Sequence, residues 1–200
     1  MFITFEGIDG CGKSTQAALL CEALGGGALA TREPGGWEGG GALRGMALDG
    51  SLRHPWSEAF LFLLDRAEHV ARVISPALAS GRHVVCERYH DSTLAYQVWG
   101  RGMPLEPLRE AAALAAFPVP DVTLLFHIEP ELALARVAGR GRPDSFEKEG
   151  LPFMRRIDEG YRALAAAEPQ RWIVIECGTR TPAELFEVVK EKLSARGLSL

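Results

Sequence analysis

Residues 1–24 read MFITFEGIDGCGKSTQAALLCEAL. The first six are β-prone through Phe2, Ile3, Thr4 and Phe5, whereas residues 14–24 repeat at helical spacing, with Ala17, Leu20, Cys21 and Leu24 on one face. Between them, Gly7-Ile8-Asp9-Gly10-Cys11-Gly12-Lys13-Ser14 matches G-x-x-x-x-G-K-[ST]. Glycines permit a tight turn whose N–H groups point inward and form an anion nest. The helix that follows adds the positive end of its dipole. In this pattern the loop and Thr15 cradle a nucleoside triphosphate, Lys13 reaches its β- and γ-phosphates, and Ser14 ligates Mg²⁺. The competing reading is a glycine-rich β–α turn with no ligand, and the strand before and helix after weigh against it. The loop needs only a small residue at Cys11, so that thiol is not read as a nucleophile. A phosphate loop gives the class of co-substrate and leaves its use open.

Working outward, short apolar runs alternate with helical stretches to the end of the chain. Strands are expected at 28–31, 83–87 (HVVCE), 122–128 (VTLLFHI) and 172–176 (WIVIE). Helices are expected at 42–48, 55–79, 92–99, 105–116, 130–138, 146–167 and 182–195, with Pro152 marking a first turn or a break in the long one. Gly35 to Gly41 holds five glycines in seven residues and reads as a loop. Strands that are apolar throughout fit burial on both faces. The alternation therefore predicts an α/β fold, a five-stranded parallel sheet with helices on both faces. No composition break or repeat divides the chain, so residues 1–200 are expected to form one domain.

The composition fits that class. The chain has 200 residues, 47% of them hydrophobic and 24% charged, enough for a core without disulfide staples. Its net charge of −4 argues against a bulk nucleic-acid or membrane-surface binder. The longest apolar run, residues 111–117, is far short of the roughly 18 needed to span a bilayer. No basic stretch followed by an apolar core opens the chain, and the four cysteines show no paired or zinc-like spacing. A reduced, cytoplasmic protein is expected. Only four of the 22 basic residues are Lys, so any single Arg is weak evidence.

Other residues suggest a second ligand beside the phosphate loop. Phe62 and Arg66 are four apart and share a helix face, where a ring can stack on a base and a guanidinium can donate to a carbonyl. Spacing alone favours a blander pair, a core Phe beside a solvated Arg. Gln97 carries a donor and an acceptor, which suits a pyrimidine edge, although on its own it reads as an ordinary helix polar residue. Arg88 directly follows a buried strand, where open α/β sheets bind ligands, and Arg supplies the planar donors a phosphate needs.

Three clusters, with the phosphate loop, carry a resemblance. They are Thr31-Arg32-Glu33-Pro34-Gly35-Gly36, Phe62-Leu63-Leu64-Asp65-Arg66, and Glu87-Arg88-Tyr89 followed by Ser92-Thr93-Leu94-Ala95-Tyr96-Gln97. With FEGIDGCGKS in front and an Arg-rich loop at 136–142, they resemble the bacterial thymidylate kinases over most of the chain. The resemblance implies the reaction ATP + dTMP ⇌ ADP + dTDP, dependent on Mg²⁺, in a homodimer packed through helices.

It implies that Phe62 stacks on thymine and that Arg66 bonds its O4. Ser92, Thr93 and Gln97 lie near the N3–H edge, and Tyr96 lies against the sugar. Arg32, Glu33, Arg44 and Arg88 lie toward the monophosphate, with Arg44 the hardest to align because of the glycines before it. Asp9 and Glu87 are the carboxylates near Mg²⁺, Glu87 standing where Asp is usual. Gly10 occupies the place where one subgroup carries a basic residue. The catalytic cation is therefore expected in a lid at about 138–148, as Arg140 with Arg142 as alternate. Arg136 faces adenine or the phosphates. Asp144-Ser145 departs from a common Asp-Arg. Two other readings stay open: a nucleoside kinase using Glu87 as base, and a nucleotide-responsive switch without turnover.

Overall fold

A computed structural model describes residues 1–138 and 144–198. Five strands, β1 (Phe2–Glu6), β2 (Ala28–Arg32), β3 (His83–Glu87), β4 (Val122–His127) and β5 (Trp172–Glu176), form one sheet in the order β2-β3-β1-β4-β5. Every pairing is parallel, so each connection must cross back over a face of the sheet. β1, at the centre, is buried at all five positions, as its unbroken apolar run requires. The edge strand β5 instead exposes Val174 and Glu176.

The crossovers are helical. They are α1 (Lys13–Leu24), α2 (Gly40–Leu48), α3 (Pro55–His69), α4 (Ser75–Ala79), α5 (His90–Thr93), α6 (Leu105–Leu114), α7 (Pro130–Val137) and α8 (Leu151–Ala167), and α9 (Pro182–Ser194) follows the last strand. α9 opens with a capping box: Thr181 accepts from the Glu184 N–H, and Glu184 accepts from the Thr181 N–H. On one side of the sheet Ile3, Phe5, Leu124 and Phe126 are fully buried, with Phe5 stacked on Phe126 at 5.3 Å, and on the other Phe2 meets Tyr89 edge-on at 5.0 Å beside Val84 and Cys86. Burying each of these rings contributes on the order of 2–3 kcal/mol.

Three long expected helices are subdivided. Residues 55–79 run on, but through a wide π-turn at Val70–Ile74 between α3 and α4. Pro76 explains it, because it lacks an N–H and its ring crowds the carbonyl four residues back. Only His90–Thr93 is α-helical in the next segment, followed by π-turns at Leu94–Gly100 that pack against α8. In the third, a short 3₁₀ turn at Glu147–Glu149 ends at Gly150, whose φ of 76° breaks the helix, and Pro152 sits in the first turn of α8. Among the described residues, no helix is long and apolar enough to cross a membrane.

Candidate active site

The carboxyl ends of β1, β3 and β4 converge, and the phosphate loop rises from β1 between them. Gly7 has φ 137° and Gly10 has φ 89°. A Cβ on Gly7 would lie 2.6 Å from the Phe126 carbonyl oxygen, and one on Gly10 would lie 2.5 Å from that of Ala133. Both places thus exclude any side chain on two counts, backbone angle and space. α1 begins at Lys13, so the loop sits on its amino end.

Lys13 Nζ donates to Ile8 O at 3.2 Å and to Asp9 Oδ1 at 3.3 Å. Ser14 Oγ donates to Glu87 Oε1 at 2.7 Å, which brings two of the expected metal ligands together. Arg136 straps the loop to the β5–α9 connection, donating to Gly10 O at 3.4 Å and Gly178 O at 2.8 Å. Cys11 is buried, and burial pushes its thiol up, away from nucleophilic use.

Arg88 has φ 64°, in the left-handed region, and its N–H donates to Phe5 O at 2.9 Å. Its guanidinium donates from Nη2 to Asp9 Oδ1 at 2.8 Å. From Nη1 it reaches Ser92 Oγ at 3.3 Å and Tyr161 OH at 3.2 Å. Tyr96 lies beneath it, ring centroid 5.0 Å away, and donates to Asp9 Oδ2 at 3.3 Å. Burial works against ionisation of Asp9, yet Arg88 and Lys13 hold its carboxyl well below the usual carboxylate range.

Behind Arg88 lies Glu6, fully buried at the end of β1. It accepts from Tyr89 N at 2.8 Å, Ser92 Oγ at 2.5 Å and Tyr161 OH at 3.0 Å. Burial, then the charge of Asp91, pushes Glu6 up to about 7 against the pull of Ser92 and Arg88.

A cavity of about 290 Å³ opens from this cluster toward α3. Phe62, Arg66, Thr93, Tyr96 and Gln97 line it, with Arg32 and Arg44 on its rim beside Glu87. Arg66 is 2% exposed and is fixed by Glu33, 2.8 Å from its Nε, and by Thr93 Oγ1, 3.0 Å from Nη2. Glu33 also meets His69 Nδ1 at 3.0 Å. Arg44 donates to Pro34 O at 3.1 Å, and burial with the charge of Arg32 lowers its pKa. Phe146 closes the cavity, 6.2 Å from the ring of Phe62 and edge-on to Tyr96 at 5.3 Å.

The expected residues are therefore gathered around one cavity and one loop, apart from two. Arg140 and Arg142 lie outside the described residues. Ser92 turns its hydroxyl to Glu6 and Arg88, and Gln97 gives its Nε2 to Glu58 Oε1 at 2.7 Å. The motifs did not single out Glu6, Glu58, His69, Phe146 or Tyr161. A glutamate closing an apolar strand, as Glu6 does, was the one local signal among them.

Residues 5–185 match the family model described as Thymidylate kinase. The chain belongs to the thymidylate kinase family. It is similar to a thymidylate kinase of Synechococcus sp. (strain JA-2-3B'a(2-13)), 49% identical over 201 residues that cover 96% of each chain. It is also similar to that of Deinococcus radiodurans, 42% identical with 98% of each chain covered. Among solved structures, the thymidylate kinase from Ehrlichia chaffeensis superposes with a TM-score of 0.81 at 30% identity, covering 97% of this chain and 98% of that one. Membership makes this chain an ATP-using kinase of nucleotide biosynthesis, and the all-parallel sheet is the fold of that relative.

Proposed function

We propose that the site transfers the γ-phosphoryl group of ATP to the phosphate of dTMP, giving ADP and dTDP by direct in-line displacement. The observation that carries this reading is the cavity beside the phosphate loop. There Arg66 Nη1 and Gln97 Oε1 are buried without partners among the described residues, on side chains that line the cavity with Phe62. An N–H donor and a carbonyl acceptor on residues lining one cavity match O4 and N3–H of thymine. Phe62 stacks on the base, and Tyr96 stands where a 2′-hydroxyl would project. Arg88, Arg32 and Arg44 take the monophosphate, with Glu33 holding Arg66 in place.

The phosphate loop, with Lys13, holds ATP and neutralises charge on the transferring group, while Arg136 borders the adenine end. Ser14, Asp9 and Glu87 are hard oxygen donors suited to Mg²⁺, which takes one or two carboxylates and completes its shell with phosphates and water. Bound with ATP, Mg²⁺ offsets phosphate charge during transfer. A lid at about 138–148 brings Arg140, with Arg142 as alternate, over the phosphates. Residues 1–200 act as one domain, and the protein works in the cytoplasm. Phe60 and Leu64, four apart on α3 and 60% and 52% exposed, support pairing of two copies through helices.

The test is ADP release with ATP, Mg²⁺ and a panel of dTMP, dUMP, UMP, dCMP and thymidine. Strong preference for dTMP, weaker use of dUMP and little of UMP is the expected result. Turnover of thymidine but not dTMP would make this a nucleoside kinase with Glu87 as base. ATP binding without transfer to any acceptor would leave a switch.

A further inference from the structure

Gln97 can present either end of its amide to the cavity, because the two orientations have the same shape. What chooses between them is Glu58 on α3. Its Oε1 lies 2.7 Å from Gln97 Nε2, in a place where neither residue is more than 8% exposed. A carboxylate only accepts, so the amide nitrogen must face Glu58 and the oxygen must face away from it, buried and without a partner among the described residues, on a side chain that lines the cavity. Turning the amide over would set two acceptor oxygens against each other, buried and with no proton between them.

Glu58 is held in turn. Arg101 donates to both its oxygens at 3.3 Å, and the Arg101 guanidinium lies 4.9 Å from the Phe153 ring centroid and 5.4 Å from that of Phe146. A fixed charge pair outside the base cavity thus sets the sign of one hydrogen-bonding group inside it.

We infer that Glu58 is a positioning residue that fixes the sense of the Gln97 amide, and through it the preference for a pyrimidine with a ring N–H over one with a bare ring nitrogen. The inference rests on the reading of Arg66 and Gln97 as base ligands. Thymine and uracil present a carbonyl beside N3–H. Cytosine presents an amino group beside an unprotonated N3. Arg66 opposes the amino group, donor to donor, and Gln97 Oε1 opposes N3, acceptor to acceptor. A Gln97 free to turn would donate to cytosine N3 and remove the second opposition.

The experiment compares kcat/KM for dTMP and dCMP in the wild type, Glu58→Gln, Glu58→Asp and Gln97→Ala. A glutamine at position 58 donates as readily as it accepts, so Gln97 is released. Glu58→Gln is expected to narrow the dTMP-to-dCMP ratio about tenfold, the worth of one hydrogen bond's change of sign. Glu58→Asp keeps the charge and is expected to restore most of the ratio. Glu58→Met, of similar size and accepting nothing, repeats the test if the glutamine variant is unstable.

A merely structural role lowers both substrates together and leaves the ratio unchanged, and that result in the neutral variants overturns the inference. If Gln97→Ala narrows the ratio while the Glu58 variants do not, Glu58 alone is misassigned. If Gln97→Ala leaves the ratio untouched, the base-edge reading itself fails and takes the inference with it.

Discussion

The hydroxyl of Tyr161 on α8 donates to Glu6 at the end of β1, 3.0 Å away across 155 residues of chain. Ser92 donates to the same carboxylate oxygen. Each hydroxyl has one proton, so with both spent on Glu6 each turns a lone pair toward Nη1 of Arg88. When ionised, Glu6 therefore orients the guanidinium without touching it.

Glu6→Gln is expected to weaken dTMP binding about tenfold and thymidine binding by no more than about twofold, the loss being confined to the phosphate end. Tyr161→Phe should produce a smaller loss of the same kind. Titration calorimetry with the two ligands reads both. Equal losses for dTMP and thymidine would mean that Glu6 supports the fold and not Arg88.

Lys13 Nζ donates only to Ile8 O and Asp9 among the described residues, and the proposed function gives its charge to the phosphates of ATP. Lys13→Ala is expected to cut kcat at least about a hundredfold, some 3 kcal/mol of transition-state stabilisation. Steady-state kinetics at saturating ATP and dTMP checks this. A near-normal kcat would remove the phosphate-loop assignment.

Arg140→Ala is expected to lower kcat far more than it raises KM for dTMP, because a lid cation acts when charge develops on the transferring group. Arg142→Ala serves as the comparison. A KM effect with kcat preserved would reassign Arg140 to ground-state binding.

His90 sets a pH dependence of stability. Its Nδ1 is buried without a partner among the described residues, and burial, then the charges of Arg66, Arg171 and Arg109, lowers its pKa from 6.5 to about 3. The unfolded chain therefore binds a proton between pH 6.5 and 3 that the folded chain refuses. The stability is fully present above 6.5 and falls as pH drops toward 3, with a slope of about 1.4 kcal/mol per pH unit from this residue. Urea denaturation between pH 7 and 4.5 should give a flatter profile for His90→Asn than for the wild type. Parallel profiles would show that His90 takes up its proton while folded.

The phosphate loop and the sheet class were legible because both are local: eight consecutive residues carry the loop, and unbroken apolar strands require cover on both faces. The helix subdivisions were not, because residues 55–79 keep one apolar face straight through the wide turn before Pro76. Phe62 and Arg66 were legible as a pair only through resemblance, since an i, i+4 spacing serves a core as well as a base. Glu58 and Gln97, 39 residues apart, or Glu6 and Tyr161, meet through the topology and leave no periodic trace. The abundance of Arg also hid Arg101, whose role lies in what it holds.

Asp9 is shared. It pairs with Lys13 of the phosphate loop and with Arg88 at the end of β3, which the proposed function gives to the triphosphate and the monophosphate. Any donor that draws Lys13 onto its own phosphates leaves Asp9 with a single cation, and the bond to Arg88 then carries the whole cost of keeping that carboxylate charged. Under the proposed function, occupancy of one substrate pocket is expected to change affinity in the other, and linkage would make the change reciprocal. One carboxylate, through its two ion pairs, would then be the thermodynamic link between the two half-sites.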